Sequence, residues 1–227
     1  MSTAGAFIFD LDGVIVHSTP LHNRAWEIYL ERHGVSPERV QGRMHGLRND
    51  EIVRDFFGTD LTADLIHAHG AAKEEVYREL MRPQLDIHIV DGVHGFLDRY
   101  RAIPKAVASN AEPANIEFVL SDAGLAPYFL HVVDGHDVVH PKPAPDIYLK
   151  AAGLLGVPAD RCIVFEDSVP GVQAAVAAGM RVVGVTTTLR QLSGVQLHID
   201  TFDDPHLEEW LAAQGVFATL AAGLQTP

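Results

Sequence analysis

Short apolar runs rich in Val, Ile and Phe occur at Ala6–Phe9, Ile103–Ala108, His131–Val133, Cys162–Phe165 and Val182–Val185, separated by longer stretches of helical character. This alternation constrains the fold more than any other feature of the chain. Strands that are apolar on both faces must be covered on both faces, and a series of βαβ units achieves this by placing a parallel sheet between two helical layers. A doubly wound parallel α/β sheet is therefore predicted. The connecting helices are placed at Gly92–Arg101, Pro113–Ala123, Pro145–Leu155 and Gly171–Ala178, with Gly124, Gly156 and Gly179 where left-handed helix stops belong. After Thr186 the pattern weakens to a short strand at Leu197–Ile199, a helix at Leu207–Ala213 and a tail.

Between the first strand and the rest, from Leu21 to Arg82, the periodicity is helical. Trp26, Tyr29 and Leu30 share one helical face, Ile52, Val53, Phe56 and Phe57 another, and Leu65–Met81 reads as an amphipathic helix. These aromatics read as the core of an all-helical insertion over residues 17–86, within an α/β domain of residues 1–16 and 87–227. A domain inserted just after the first strand is expected above the carboxyl ends of the strands, where such sheets bind ligands. With 227 residues, 47% of them hydrophobic, the chain is long enough to bury its core without staples. Lys and Arg number 17 against 30 Asp and Glu, a net charge of −13 that repels phosphate backbones and anionic lipid. Small molecules or cations are the predicted partners, not nucleic acid or membrane. The single cysteine, Cys162, lies in an apolar run and permits no internal disulfide. With no basic segment ahead of Phe7 and the apolar stretch stopped at Asp10, a cytoplasmic protein is expected.

The chemistry is concentrated where apolar runs end. Phe7-Ile8-Phe9-Asp10-Leu11-Asp12-Gly13 runs a strand into two carboxylates and a turn glycine, Ile163-Val164-Phe165-Glu166-Asp167-Ser168 runs another into paired acids, and Val107-Ala108-Ser109-Asn110 ends in a hydroxyl and an amide. In a parallel sheet these termini point the same way, so Asp10, Asp12, Ser109, Glu166 and Asp167 can converge on one crevice. Four carboxylates there repel one another, and Mg²⁺, which binds few protein carboxylates together with substrate phosphate, is the natural remedy. Lys142, in the proline-rich stretch Pro141-Lys142-Pro143-Ala144-Pro145, is the candidate cation for an anionic substrate.

These motifs, in this order over nearly the whole chain, resemble the haloacid dehalogenase (HAD) superfamily of aspartate-nucleophile phosphotransferases, and within it the β-phosphoglucomutase-like phosphatases. The resemblance implies a Rossmann-like core with a helical cap, and His22-Asn23-Arg24-Ala25-Trp26 is similar to the start of that cap in the mutases. It further implies that Asp10 attacks phosphorus, that Asp12 acts as general acid and base, and that Ser109 and Lys142 hold phosphoryl oxygens. Mg²⁺ is implied on the Asp10 carboxylate, the Asp12 carbonyl, Asp167 and Glu166. His22, Arg48, Lys73 and Asn110 become candidate substrate contacts, although Arg48 and Lys73 read rather better as solvated helix charges. His67 and His69, two apart on a helix, point to different faces and do not suggest a zinc site.

The departures matter as much. Where the mutases grip a second phosphate with Ser and Asn, this chain has Ala111 and Pro113, whose side chains donate no hydrogen bond. The implied activity is therefore a Mg²⁺-dependent phosphatase acting on a small phosphorylated metabolite of the sugar-phosphate class, with a sugar phosphomutase as the alternative. A phospho-accepting receiver module uses similar strand-end residues, but it is one small domain without an inserted cap.

Overall fold

The computed structural model describes residues 5–36 and 49–215. In chain order the principal elements are β1 (Ala6–Phe9), α1 (Thr19–Arg32), α2 (Asn49–Phe57), α3 (Ala63–Met81), α4 (Leu85–His88), α5 (Val93–Arg99), β2 (Lys105–Ala108), α6 (Pro113–Asp122), β3 (His131–Val133), α7 (Asp146–Leu155), β4 (Cys162–Glu166), α8 (Val169–Ala177), β5 (Arg181–Val185), β6 (Leu197–Ile199) and α9 (Pro205–Ala213). The chain forms two compact units, one running through His17 and resuming at Asp86, the other Ser18–Leu85.

The first unit is a six-stranded parallel sheet ordered β3-β2-β1-β4-β5-β6. The inner strands β1, β2 and β4 are buried on both faces, as their continuous apolar runs require, while the edge strands β3 and β6 expose Val132 and His198. Alternation along each strand divides the core in two. Ala6 and Ile8 of β1 and Cys162 and Val164 of β4 join Tyr148 and Ala151 of α7 and Val172 and Ala175 of α8 in one cluster. Phe7, Phe9 and Phe165 point the other way into an aromatic layer with Phe96 and Phe202, the Phe9 and Phe165 rings stacking with centroids 4.7 Å apart. Cys162 is buried, and burial pushes its thiol up to about 12. Glycines 124, 156 and 179 take positive φ at helix ends.

Several elements differ from expectation at their starts and stops: β2 begins at Lys105 and not at Ile103, α3 at Ala63 and not at Leu65, and α9 at Pro205 and not at Leu207. Helix α8 begins at Val169 and not at Gly171, because Ser168 caps it, its Oγ accepting from the Gly171 N–H at 3.1 Å, and Pro170 fits a first turn that needs no N–H. Helix α5 stops at Arg99, short of Arg101.

The second unit is helical throughout its described residues. Trp26, Tyr29 and Leu30 of α1 are buried, as are Ile52 and Val53 of α2 and Val76, Tyr77 and Met81 of α3, whose first turn is capped by Thr62. His69 accepts or donates a 2.8 Å hydrogen bond with the Tyr29 hydroxyl and stacks on Phe57, while His67 is exposed. Lys73 corrects the reading of a solvated charge: it is 1% exposed, with its ammonium 2.6 Å from Glu74 Oε1 and 5.1 Å from the centre of a Trp26 ring. Among the described residues no helix is long and apolar enough to cross a membrane.

Candidate active site

Strand order places β1 next to β4, although β2 and β3 intervene in sequence, so the chain reverses direction across the sheet between them. A crevice opens at the carboxyl ends of strands at such a switch point. Glu166 has the parity of Val164, and so emerges on the side covered by α7 and α8. Asp10 follows Ile8 in the same sense, its N–H bonded to the Phe165 carbonyl at 3.0 Å. The Lys142 side chain enters the same region from the stretch before α7, and the Lys142–Pro143 peptide is cis.

The contacts are direct. Lys142 Nζ donates to Asp10 Oδ1 at 2.9 Å and to Glu166 Oε1 at 2.6 Å, and Tyr148 donates its hydroxyl to the same Glu166 oxygen at 2.8 Å. Glu166 Oε2 accepts from the Asp167 N–H, the Ser168 N–H and the Ser168 hydroxyl, each at 2.9 Å. Two glycines make room: a Cβ at Gly171 would lie 1.7 Å from Glu166 Oε1, and one at Gly13 would lie 1.9 Å from Asp167 Oδ2. Gly13 also holds φ at 75°, and the Thr187 hydroxyl donates to its carbonyl.

Electrostatics separates the acids. Burial raises Asp10 to about 7, with the Lys142 ammonium opposing and Glu166 and Asp12 adding to the rise. Burial, Glu166 and Asp10 together push Asp167 well above the carboxylate range, against a hydrogen bond from Thr188. Burial alone would raise Glu166 too, but Lys142 and its other donors hold it below the usual value. Burial works against the Lys142 ammonium, yet Asp10 and Glu166 overcome it and keep the lysine charged. Asp10, Glu166 and Asp167 each offer a carboxylate oxygen within 4.8 Å of the others. Hard oxygen donors in negative excess, two of them raised first by burial and then by neighbouring acids, suit a divalent cation such as Mg²⁺.

The remaining candidates lie as follows. Ser109 is buried at the end of β2, where Val107 pairs with Phe9, and its Oγ accepts from the Ala111 N–H at 3.3 Å. Asp12 is half-buried in the turn after β1, and Asn110 is exposed. His22 and Lys73 come together in the helical unit, His22 Nδ1 lying 3.2 Å from Lys73 Nζ and 3.6 Å from Glu74 Oε2, with its ring stacked on Tyr77. Arg48 lies outside the described residues. Tyr148 and Glu74 escaped the sequence reading. Tyr148 looks like one more apolar position of α7, and only its place six residues after Lys142 sets it apart; Glu74 looks like one of several helix acids.

Comparisons with known proteins give the family and the fold. Residues 4–179 match the family model described as haloacid dehalogenase-like hydrolase. The chain is 36% identical over 181 residues to fructose-1-phosphate phosphatase YqaB of Escherichia coli K12, covering 78% of this chain and 94% of that protein. It is 29% identical over 223 residues to a beta-phosphoglucomutase of Mycobacterium bovis, covering 85% of each. The crystal structure of a HAD hydrolase, family IA, variant 3, from Entamoeba histolytica superposes with a TM-score of 0.83 at 27% identity, over 92% of this chain and 98% of that one.

Proposed function

The chain belongs to the haloacid dehalogenase-like hydrolase family, and on that ground we propose that it is a Mg²⁺-dependent phosphatase of a small sugar-phosphate-type metabolite, working through an aspartyl phosphate on Asp10. The observation that carries this is the buried Asp10 carboxylate fixed by Lys142 at 2.9 Å at the switch point of the sheet. In this reading Asp10 Oδ attacks phosphorus and the ester oxygen leaves with a proton from Asp12. Asp12 then takes a proton from the water that cleaves the acyl phosphate, releasing inorganic phosphate and restoring Asp10. Lys142 and Ser109 hold the phosphoryl oxygens. Asp10, the Asp12 carbonyl and Asp167 are the residues that would hold Mg²⁺, while Glu166, the fourth candidate, has its oxygens taken by Lys142, Tyr148 and the turn at Ser168. The ion, when bound, supplies charge neutralisation for the transferring phosphoryl group.

Residues 18–85 serve as the cap, with His22, Lys73 and Arg48 as substrate contacts and Asn110 as a further one from the core. The sugar-phosphate class is supported by the names of the relatives, one a fructose-1-phosphate phosphatase. The mutase relative keeps a second reading alive. Against it stand Ala111, whose N–H is engaged by Ser109 Oγ, and Pro113, which opens α6 without an N–H to offer. A mutase must hold a bisphosphate while it turns over, and each missing charge-assisted bond costs roughly 1.5–3 kcal/mol. Phosphorus NMR of β-glucose 1-phosphate with enzyme, Mg²⁺ and glucose 1,6-bisphosphate separates the two. Inorganic phosphate should form faster than glucose 6-phosphate; accumulation of glucose 6-phosphate with little inorganic phosphate would put the mutase first.

A further inference from the structure

Glu166 is surrounded. A carboxylate offers about four lone-pair directions, and five donors converge on this one: three on Oε2 from the β4–α8 junction and two on Oε1, from Lys142 and Tyr148. The three on Oε2 belong to the backbone and cap of one turn, so they fix the plane of the carboxylate. Lys142 and Tyr148 then divide the two directions left on Oε1. Without the Tyr148 hydroxyl, the Lys142 ammonium has a second position open to it on that oxygen, and the bond to Asp10 Oδ1 no longer has one geometry.

The ring contributes from the other side. Lys142 Nζ lies 4.9 Å from the centre of the Tyr148 ring, within the range of cation–π attraction. Tyr148 is fully buried and belongs to the apolar cluster that includes Ala106, Ala108, Val133 and Ala151, where a phenylalanine ring would pack equally well. The apolar packing therefore does not account for the hydroxyl; its partner is the carboxylate that holds the lysine.

We propose, resting on the phosphoryl-transfer reading above, that Tyr148 is a positioning residue that acts through Glu166 to set the Lys142 ammonium against Asp10 and the transferring phosphoryl group. It touches neither reacting atom. Misdirecting the ammonium weakens an interaction that matters most when charge spreads over the phosphoryl oxygens, so the loss belongs to kcat more than to KM.

The test is Tyr148→Phe, which removes one oxygen and keeps the ring, assayed with 4-nitrophenyl phosphate and Mg²⁺ well below the melting midpoint of each protein. Removing a hydrogen bond to a charged group should lower kcat roughly tenfold with KM within threefold. Binding of orthovanadate, a mimic of the five-coordinate phosphoryl group, measured calorimetrically, should weaken by the same factor. In a Lys142→Ala background the second change should add less than twofold, since the group being positioned is gone. A merely structural hydroxyl lowers the melting temperature and leaves all three readouts in place. Tyr148→Phe with kcat and vanadate affinity within twofold of wild type, while Lys142→Ala loses both, overturns the positioning role alone. Lys142→Ala with turnover and vanadate binding intact overturns the phosphoryl-transfer reading itself.

Discussion

Asp10 and Asp167 are the residues on which folding and function pull in opposite directions. Asp167 is buried beside Glu166 and Asp10, and all three circumstances raise its pKa. A carboxyl whose pKa rises on folding stabilises the protein fully below its unfolded value, near 3.8, and loses that contribution as pH climbs through the folded value. At pH 8, where the unfolded chain carries an ionised Asp167, the metal-free fold opposes that charge and is less stable on this group's account than near pH 4. Asp167→Asn should raise the melting temperature of metal-free protein at that pH, by about 2–4 °C for each kcal/mol relieved, and change it less near pH 4. Mg²⁺ should stabilise the wild type and leave the variant where it was. Calorimetry in EDTA and in Mg²⁺ gives all four values, and a variant less stable than wild type at pH 8 would show that protein contacts already compensate this carboxylate.

At the scale of elements, the junction of β4 with α8 holds Glu166 in place, and two helix glycines make opposite predictions about it. Gly171 is buried in α8, where a methyl would collide with the Glu166 carboxylate. Gly171→Ala should cost roughly 1–3 kcal/mol as overpacking and depress turnover with it. Gly153, exposed in α7 with open space around it, should accept alanine with a gain of up to about 1 kcal/mol. Urea denaturation of both variants checks the pair, and equal signs would mean that the crowding at Gly171 is relieved by movement of Glu166. Such features also show what was legible beforehand. The strands were visible because their faces are buried on both sides, and Asp10, Glu166 and Asp167 because acids ending apolar runs are costly without a purpose. The hydrogen bond from Tyr148 to Glu166 was invisible, since it exists only once α7 packs over β1, β2 and β3 and reaches the end of β4. The start of α8 was misplaced because Ser168 looked like part of the acidic motif, while it is also the helix cap. Lys73 passed for a surface charge because the acid that pairs with it, Glu74, is its neighbour in sequence, where helical spacing does not bring side chains face to face.

For the whole molecule, an acidic chain of net charge −13 gathers three carboxylates and one lysine at the carboxyl ends of a parallel sheet. On the proposed function, such an arrangement would take a cation before it accepts a phosphate ester. Excess EDTA should silence turnover of 4-nitrophenyl phosphate and Mg²⁺ should restore it; full activity in EDTA would remove the metal from the proposal. Asp10→Asn keeps the shape of the side chain and removes the anionic nucleophile, so it should reduce turnover by several orders of magnitude in a folded protein. The central claim is that phosphorus passes through Asp10. Acid quenching during turnover, followed by mass spectrometry of the peptide containing Asp10, tests it directly. The account predicts a phosphoryl group on that aspartate in the wild type, with none on the peptide and no phosphate released in Asp10→Asn. Sustained phosphate release from the variant, with Asp10 never modified in the wild type, would contradict it.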